Sequence, residues 1–210
     1  MLLEVIGLQR SKLIPFMHMT KDEMKATTVK GNLEMILVEN TWLLKQLKQE
    51  QVDTLIHEIK QANAIFIVAA GRSGFSMRSA AMRLMHIGFT VYFVGETTTP
   101  AIRPGDLLIA ASGSGTTSTI VKAAEKAIAA GAKVVAISTT ETSPLSAVAT
   151  HLVHVAAAEK QDHHSTRSAQ FAGSLFEQFL LLFNDAVFQT LWQSKQESAE
   201  DMWERHANLE

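Results

Sequence analysis

Five short apolar runs, at 65–70, 90–94, 107–111, 133–138 and 151–155, constrain what this chain can fold into more than any other feature. Each is short enough for a strand and is set off from its neighbours by glycine, proline or hydroxyl-rich segments, and most are followed by a stretch with helical spacing. Strands separated by helices cannot be joined as hairpins. They pair in parallel through crossover connections, so the expected fold is α/β: a five-stranded parallel sheet with helices on both faces. Ligands of such sheets bind beyond the carboxyl ends of the strands, near the switch in strand order.

Two turns stand at those ends and resemble each other: Ala69-Ala70-Gly71-Arg72-Ser73-Gly74 and Ala110-Ala111-Ser112-Gly113-Ser114-Gly115. The second continues into Thr116 and Thr117, ahead of a helix expected from about 119 to 130. Gly113 and Gly115 permit close backbone approach, while Ser112, Ser114, Thr116 and Thr117 bring hydroxyls beside the free amides of a helix start. The combination suits an anion, most naturally a phosphate. Tight capping of the helix is the competing explanation. The first turn leads into a helix expected over 75–87, with Gly88 ending it.

The remaining helices are expected from 21 onward, with Leu33, Ile36, Leu37, Leu43, Leu44 and Leu47 on one face, then at about 51–62, 144–149, 169–193 and 198–207. The first two form an N-terminal helical arm, packed across the domain or across a neighbouring subunit. The long apolar helix at 169–193 covers more than one face, which points to a homo-oligomer. Residues 1–23 read as an N-terminal extension and 24–210 as one domain, within the usual size range for 210 residues.

Composition narrows the function. A net charge of -2 and the lack of any basic stripe argue against nucleic-acid binding. With no cysteine, disulfides, thiolate metal sites and thiol nucleophiles are excluded, which is compatible with a cytoplasmic setting. No run approaches a membrane span, and Glu4, Gln9, Arg10 and Lys12 break any secretory signal.

Glu177 is the most informative ionisable group because Leu175, Phe176, Phe179 and Leu180 surround it in sequence. A carboxylate among them must reach solvent, a partner or a pocket, and partial desolvation strengthens it as a general base. An ion pair with Arg72, Arg78 or Arg83 explains it equally well. The histidines give no metal signal: His163-His164 are adjacent, and His151 and His154 point to opposite faces of a strand. His206 is by default a surface residue, of interest only if an oligomer carries it to a neighbour's pocket. No base and orienting acid can be traced for a nucleophilic serine. A dinucleotide fold finds an acid in Glu96, but Gly71-Arg72-Ser73-Gly74 lacks the Gly-x-Gly-x-x-Gly order.

The two turns, Ala81-Met82-Arg83-Leu84-Met85-His86, Val94-Gly95-Glu96, Gly173-Ser174-Leu175-Phe176-Glu177-Gln178 and Arg205-His206-Ala207-Asn208-Leu209-Glu210 together resemble the sugar isomerase (SIS) domain family and, within it, the 6-phospho-3-hexuloisomerases. The resemblance runs from about Met24 to the C-terminus. It implies a flavodoxin-like α/β/α sandwich and interconversion of D-arabino-hex-3-ulose 6-phosphate with D-fructose 6-phosphate, a step of formaldehyde assimilation in the ribulose monophosphate pathway, without cofactor or metal. It implies phosphate binding by Ser112, Gly113, Ser114, Gly115, Thr116 and Thr117, first-turn contacts from Arg72 and Ser73, Glu177 as base and His206 as a histidine lent by a neighbouring subunit of a homodimer or homotetramer. The chain departs from the family pattern at Thr116, where relatives carry glutamate, and at Phe171-Ala172, where Pro-Met is familiar. The first change removes a negative charge beside the phosphate turn; the second bears on the pocket near Gln170. The alternatives are an isomerase of another phosphosugar and a non-catalytic phosphosugar sensor. A sensor is expected to carry an output module such as a helix-turn-helix, which is not read here.

Overall fold

The computed structural model describes residues 27–158 and 168–209. Strands β1 (Ile65–Ala69), β2 (Val91–Phe93), β3 (Leu107–Ala111), β4 (Lys133–Ser138) and β5 (His151–His154) form one sheet in the order β2-β1-β3-β4-β5, with every pair parallel. The expected α/β fold is therefore present, including the flavodoxin-like strand order. The chain steps from β1 outward to β2 and then back across to β3. The switch thus falls between β1 and β3, the strands that carry the two glycine turns.

Side chains of successive strand residues point to opposite faces, which divides the core in two. Ile65, Ile67, Ile109 and Ile137 pack with α1 (Val29–Gln46), α2 (Gln49–Gln61), α3 (Gly71–His86) and α6 (Ser174–Lys195). Phe66, Leu108, Val134 and Ala136 pack with α4 (Ser118–Ala129) and α5 (Pro144–Val148). Ile65, Ile67 and Val135 are wholly buried, each contributing roughly 1.5–3 kcal/mol of transfer free energy. The N-terminal arm packs across its own domain: α1 lies on α6, and α2 lies beside β5. A short α7 (Ala199–Trp203) closes the described chain.

Several boundaries differ from the sequence reading, and one difference matters. Helix α3 begins at Gly71, not Phe75, so Gly71-Arg72-Ser73-Gly74 is the first helical turn and not a loop. Gly71 at φ 59° lets β1 pass directly into the helix, and an added Cβ on Gly74 would stand 3.4 Å from the Ala69 carbonyl oxygen. Conversely, α6 starts five residues late, at Ser174, because Ala172 (φ 25°) and Gly173 (φ 79°) turn the chain just before it. The last helix is shorter than expected, ending at Trp203. The extension 1–23, the first residues of the expected first helix and His163-His164 lie outside the described residues.

Candidate active site

The first turns of three helices meet over the carboxyl ends of β1 and β3. A cavity of about 130 Å³ is lined by Gly71 and Ser73 from α3, Thr117 and Ile120 from the start of α4, and Gly173 and Phe176 from the start of α6. Ser112, Gly113 and Ser114 form its floor. Helix starts present amides without intrahelical partners and carry the positive end of the helix dipole. Each contributes on the order of 0.3–2 kcal/mol toward holding a negative charge, so three converging on one cavity favour a negative charge over a positive one there.

The floor is held rigidly. Ser138 Oγ and Thr139 Oγ1 donate to the Gly113 carbonyl at 3.0 and 2.7 Å, and the Thr139 amide donates to it as well at 3.0 Å. Ser112 Oγ lies 3.1 Å from Thr117 Oγ1, and Ser114 Oγ lies 2.9 Å from Thr116 Oγ1. Gly115 at φ 62° is packed so closely that a Cβ there would come within 2.2 Å of Ser143 Oγ. Ser112, Gly113, Ser114, Thr117 and Ser73 are thus brought together at the cavity. Gly115 shapes the turn from beneath. Thr116 is exposed and, like Gly115, lies outside the lining, with its hydroxyl resting on that of Ser114, which is part of it.

Glu177 and Arg72 adjoin this lining. Glu177 is buried in the first turn of α6, and its Oε2 pairs with Arg72 Nη1 at 3.1 Å. Arg72 Nη1 also donates to Ser174 Oγ at 3.2 Å, and Ser76 Oγ donates to the Glu177 carbonyl at 2.8 Å, so the starts of α3 and α6 are tied together. The helix start and the guanidinium both offset the desolvation that burial imposes on a carboxylate. The ion-pair reading of Glu177 is therefore realised; neither partner is itself in the lining, but Arg72 stands between Gly71 and Ser73, and Glu177 follows Phe176, all of which are.

His206 is elsewhere. It stacks on His86 and Trp203 of its own chain, with ring centroids 5.0 and 4.8 Å away. His86 closes α3, whose 16 residues put roughly 22 Å between it and the cavity. Glu96 pairs with Arg78, whose guanidinium lies over the Phe93 ring. His151 faces Glu58, while His154 meets the Thr139 carbonyl. Among the described residues, no group of three or more His, Cys, Asp or Glu is arranged to hold a metal, and no helix is long and apolar enough to cross a membrane.

Sequence reasoning missed Ser138 and Thr139, which bond the turn after β3, and Ser143, which packs under Gly115, because they follow a different strand and show no spacing that connects them to it. Phe176 and Ser174 were visible only as neighbours of Glu177.

A model of the SIS domain matches residues 58–182, which is more than half of the chain and includes every site residue named except His206. The chain belongs to the SIS domain family. Among SIS relatives, a 3-hexulose-6-phosphate isomerase of Mycobacterium gastri is 50% identical over 182 residues, covering 87% of this chain and 92% of its own. A protein of the same name from Bacillus subtilis is 41% identical over 165 residues, covering 78% and 89%. A solved SIS structure from Methanococcus jannaschii, described as inferring a molecular function of 3-hexulose-6-phosphate isomerase, superposes with a TM-score of 0.74 at 32% identity, covering 85% of this chain and 99% of its own.

Proposed function

We propose that this SIS protein interconverts D-arabino-hex-3-ulose 6-phosphate and D-fructose 6-phosphate. The observation that carries the reading is that two of the three helix starts lining one cavity, those of α3 and α6, are joined by a buried carboxylate paired to an arginine, each next in sequence to a lining residue. The three relatives named above, each covering most of the chain, supply the sugar.

In the proposed mechanism the phosphate sits over Ser112, Gly113, Ser114 and Thr117 with Ser73 opposite, which fixes the reacting carbons relative to the protein. Glu177 removes the proton from C2 of the 3-ketose, the electron pair moves toward the C3 carbonyl, and a 2,3-enediolate forms. The proton of the C2 hydroxyl passes to the C3 oxygen, and the same carboxyl group returns the carbon-bound proton to C3, leaving a hydroxyl at C3 and the ketone at C2. Arg72, already at the carboxylate, supplies positive charge where the enediolate oxygen becomes negative. No cofactor or metal takes part.

The proposal includes a cytoplasmic homodimer or homotetramer. An apolar groove of about 480 Å³ between α1, α2 and α6, lined by Leu37, Leu44 and Leu182, supports self-association. His206 enters the chemistry only if such an assembly carries it to another copy's cavity.

Isotope exchange tests the reaction. Incubated with fructose 6-phosphate in D2O, the protein should introduce deuterium at C3 and produce the 3-ketose, both visible by NMR. Exchange at C1 with formation of an aldose would replace this reading by an aldose–ketose isomerase, and no exchange with tight sugar-phosphate binding would replace it by a sensor.

A further inference from the structure

A second buried carboxylate, Glu39 on α1, stands outside the mechanism above. It is 5% exposed and gathers three neutral donors from the turn that precedes α6. Ser168 Oγ donates to Oε2 at 2.8 Å, the Ala169 amide to Oε1 at 2.6 Å and Gln170 Nε2 to Oε2 at 2.8 Å. Only an acceptor-only group with about four lone-pair sites can take three donors converging this way. The Gln170 amide also donates to Ser168 Oγ, at 3.0 Å.

The network continues to the residue after Glu177. Gln178 Nε2 donates to Gln170 Oε1 at 2.7 Å, and Asn40 Nδ2 donates to Gln178 Oε1 at 3.3 Å. Glu39 and Asn40, adjacent on α1, thus grip the turn and the first helical turn of α6. On its other side, the same turn of α6 is held by Arg72. Between these two attachments the chain passes through Ala172 and Gly173, both with positive φ, so the turn carries strain that something must hold.

We infer that Glu39 is a positioning residue: by clamping 168–170 it sets the start of α6, and with it the direction of Glu177 and the wall of the cavity formed by Gly173 and Phe176. This rests on Glu177 being the base. Its effect falls more on the chemical step than on substrate capture, since α6 brings the base but only one of the three helix starts at the cavity, while every hydroxyl in the proposed phosphate grip sits on α3, α4 or the β3 turn.

The test compares the parent, E39Q and E39Q/Q170E. In E39Q an amide donor faces donors. In the double variant the carboxylate moves to position 170, where it accepts from the amide introduced at position 39 and from Gln178, while the oxygen of that introduced amide accepts from the Ala169 N–H. E39Q should lower kcat at least tenfold with KM within about threefold, and should speed amide hydrogen exchange over 169–178; the double variant should recover kcat to within about threefold of the parent. Unchanged kcat in E39Q overturns the inference, as does a loss that the double variant does not rescue or that follows the folded fraction alone. If the parent itself is inactive on the sugar phosphate, the proposed reaction fails. Amide exchange then decides the clamp, and unchanged exchange in E39Q removes it.

Discussion

Arg72 and Glu177, 105 positions apart in sequence, meet at 3.1 Å, joining a side chain that is 63% exposed to one that is 5% exposed. The pair links the start of the helix after β1 to the start of the long C-terminal helix. An exposed cation on a buried acid leaves the guanidinium within reach of an entering ligand.

Replacing the acid tests its role as base. Glu177→Gln keeps the shape and removes proton transfer, so kcat should fall by about 10²–10⁴ while the phosphosugar still binds. Steady-state kinetics with sugar-phosphate titration will show this, and near-parental turnover would remove Glu177 from the mechanism.

Arg72→Ala should act on both stability and rate. It takes a cation away from a buried carboxylate, costing on the order of 1–3 kcal/mol, and removes positive charge from the developing enediolate. A lowered melting temperature together with at least a tenfold fall in kcat/KM is expected. Arg72→Lys, a point charge without the planar fork, should recover stability better than rate.

The turn after β3, where we propose the phosphate binds, should respond unequally to a single methyl group. Gly115→Ala puts a Cβ 2.2 Å from Ser143 Oγ and 2.6 Å from its Cβ, at a φ of 62°. Gly113→Ala meets only the Phe176 ring, at 3.4 Å. The first should raise KM at least tenfold and cost about 1–3 kcal/mol of stability; the second should leave folding intact. Denaturant melts and KM values for the two proteins make the comparison.

Acid should loosen the far end of α3. Burial, followed by the nearby His206 and Arg83, holds the His86 imidazole below its usual 6.5. Because the folded value is the lower one, the unfolded chain takes up the proton first as pH falls. The stabilising contribution is therefore full above about pH 6.5 and is lost as pH falls from there through the folded value. Thermal melts between pH 7.5 and 5 should show this decline, and His206→Ala should make it shallower.

The strands, the α/β fold and the two turns were legible because strand burial and glycine placement are local signals. Ile65, Phe66, Ile67 and Val68, consecutive and all buried, announce a sheet buried on both faces wherever the chain goes next. Other local signals misled. Gly71-Arg72-Ser73-Gly74 has the composition of a loop, yet packing of Gly74 against the end of β1 makes it helix. The four hydroxyls of the second turn, alike by spacing, differ in place: Ser112, Ser114 and Thr117 line the cavity, while Thr116 is exposed and rests on Ser114.

The residues themselves determined which groups exist to do chemistry: a hydroxyl-rich turn after an apolar strand, an acid amid phenylalanines and leucines, and no thiol anywhere. Tertiary structure alone decided who meets whom. Sequence periodicity reports the face a side chain occupies on its own element, whereas the convergence of three helix starts, the choice of Arg72 over Arg78 and Arg83 as partner of Glu177, and the grip of Glu39 on a turn about 130 residues away depend on how the elements cross. Those contacts follow from packing two cores against one twisted sheet, and no local pattern encodes them.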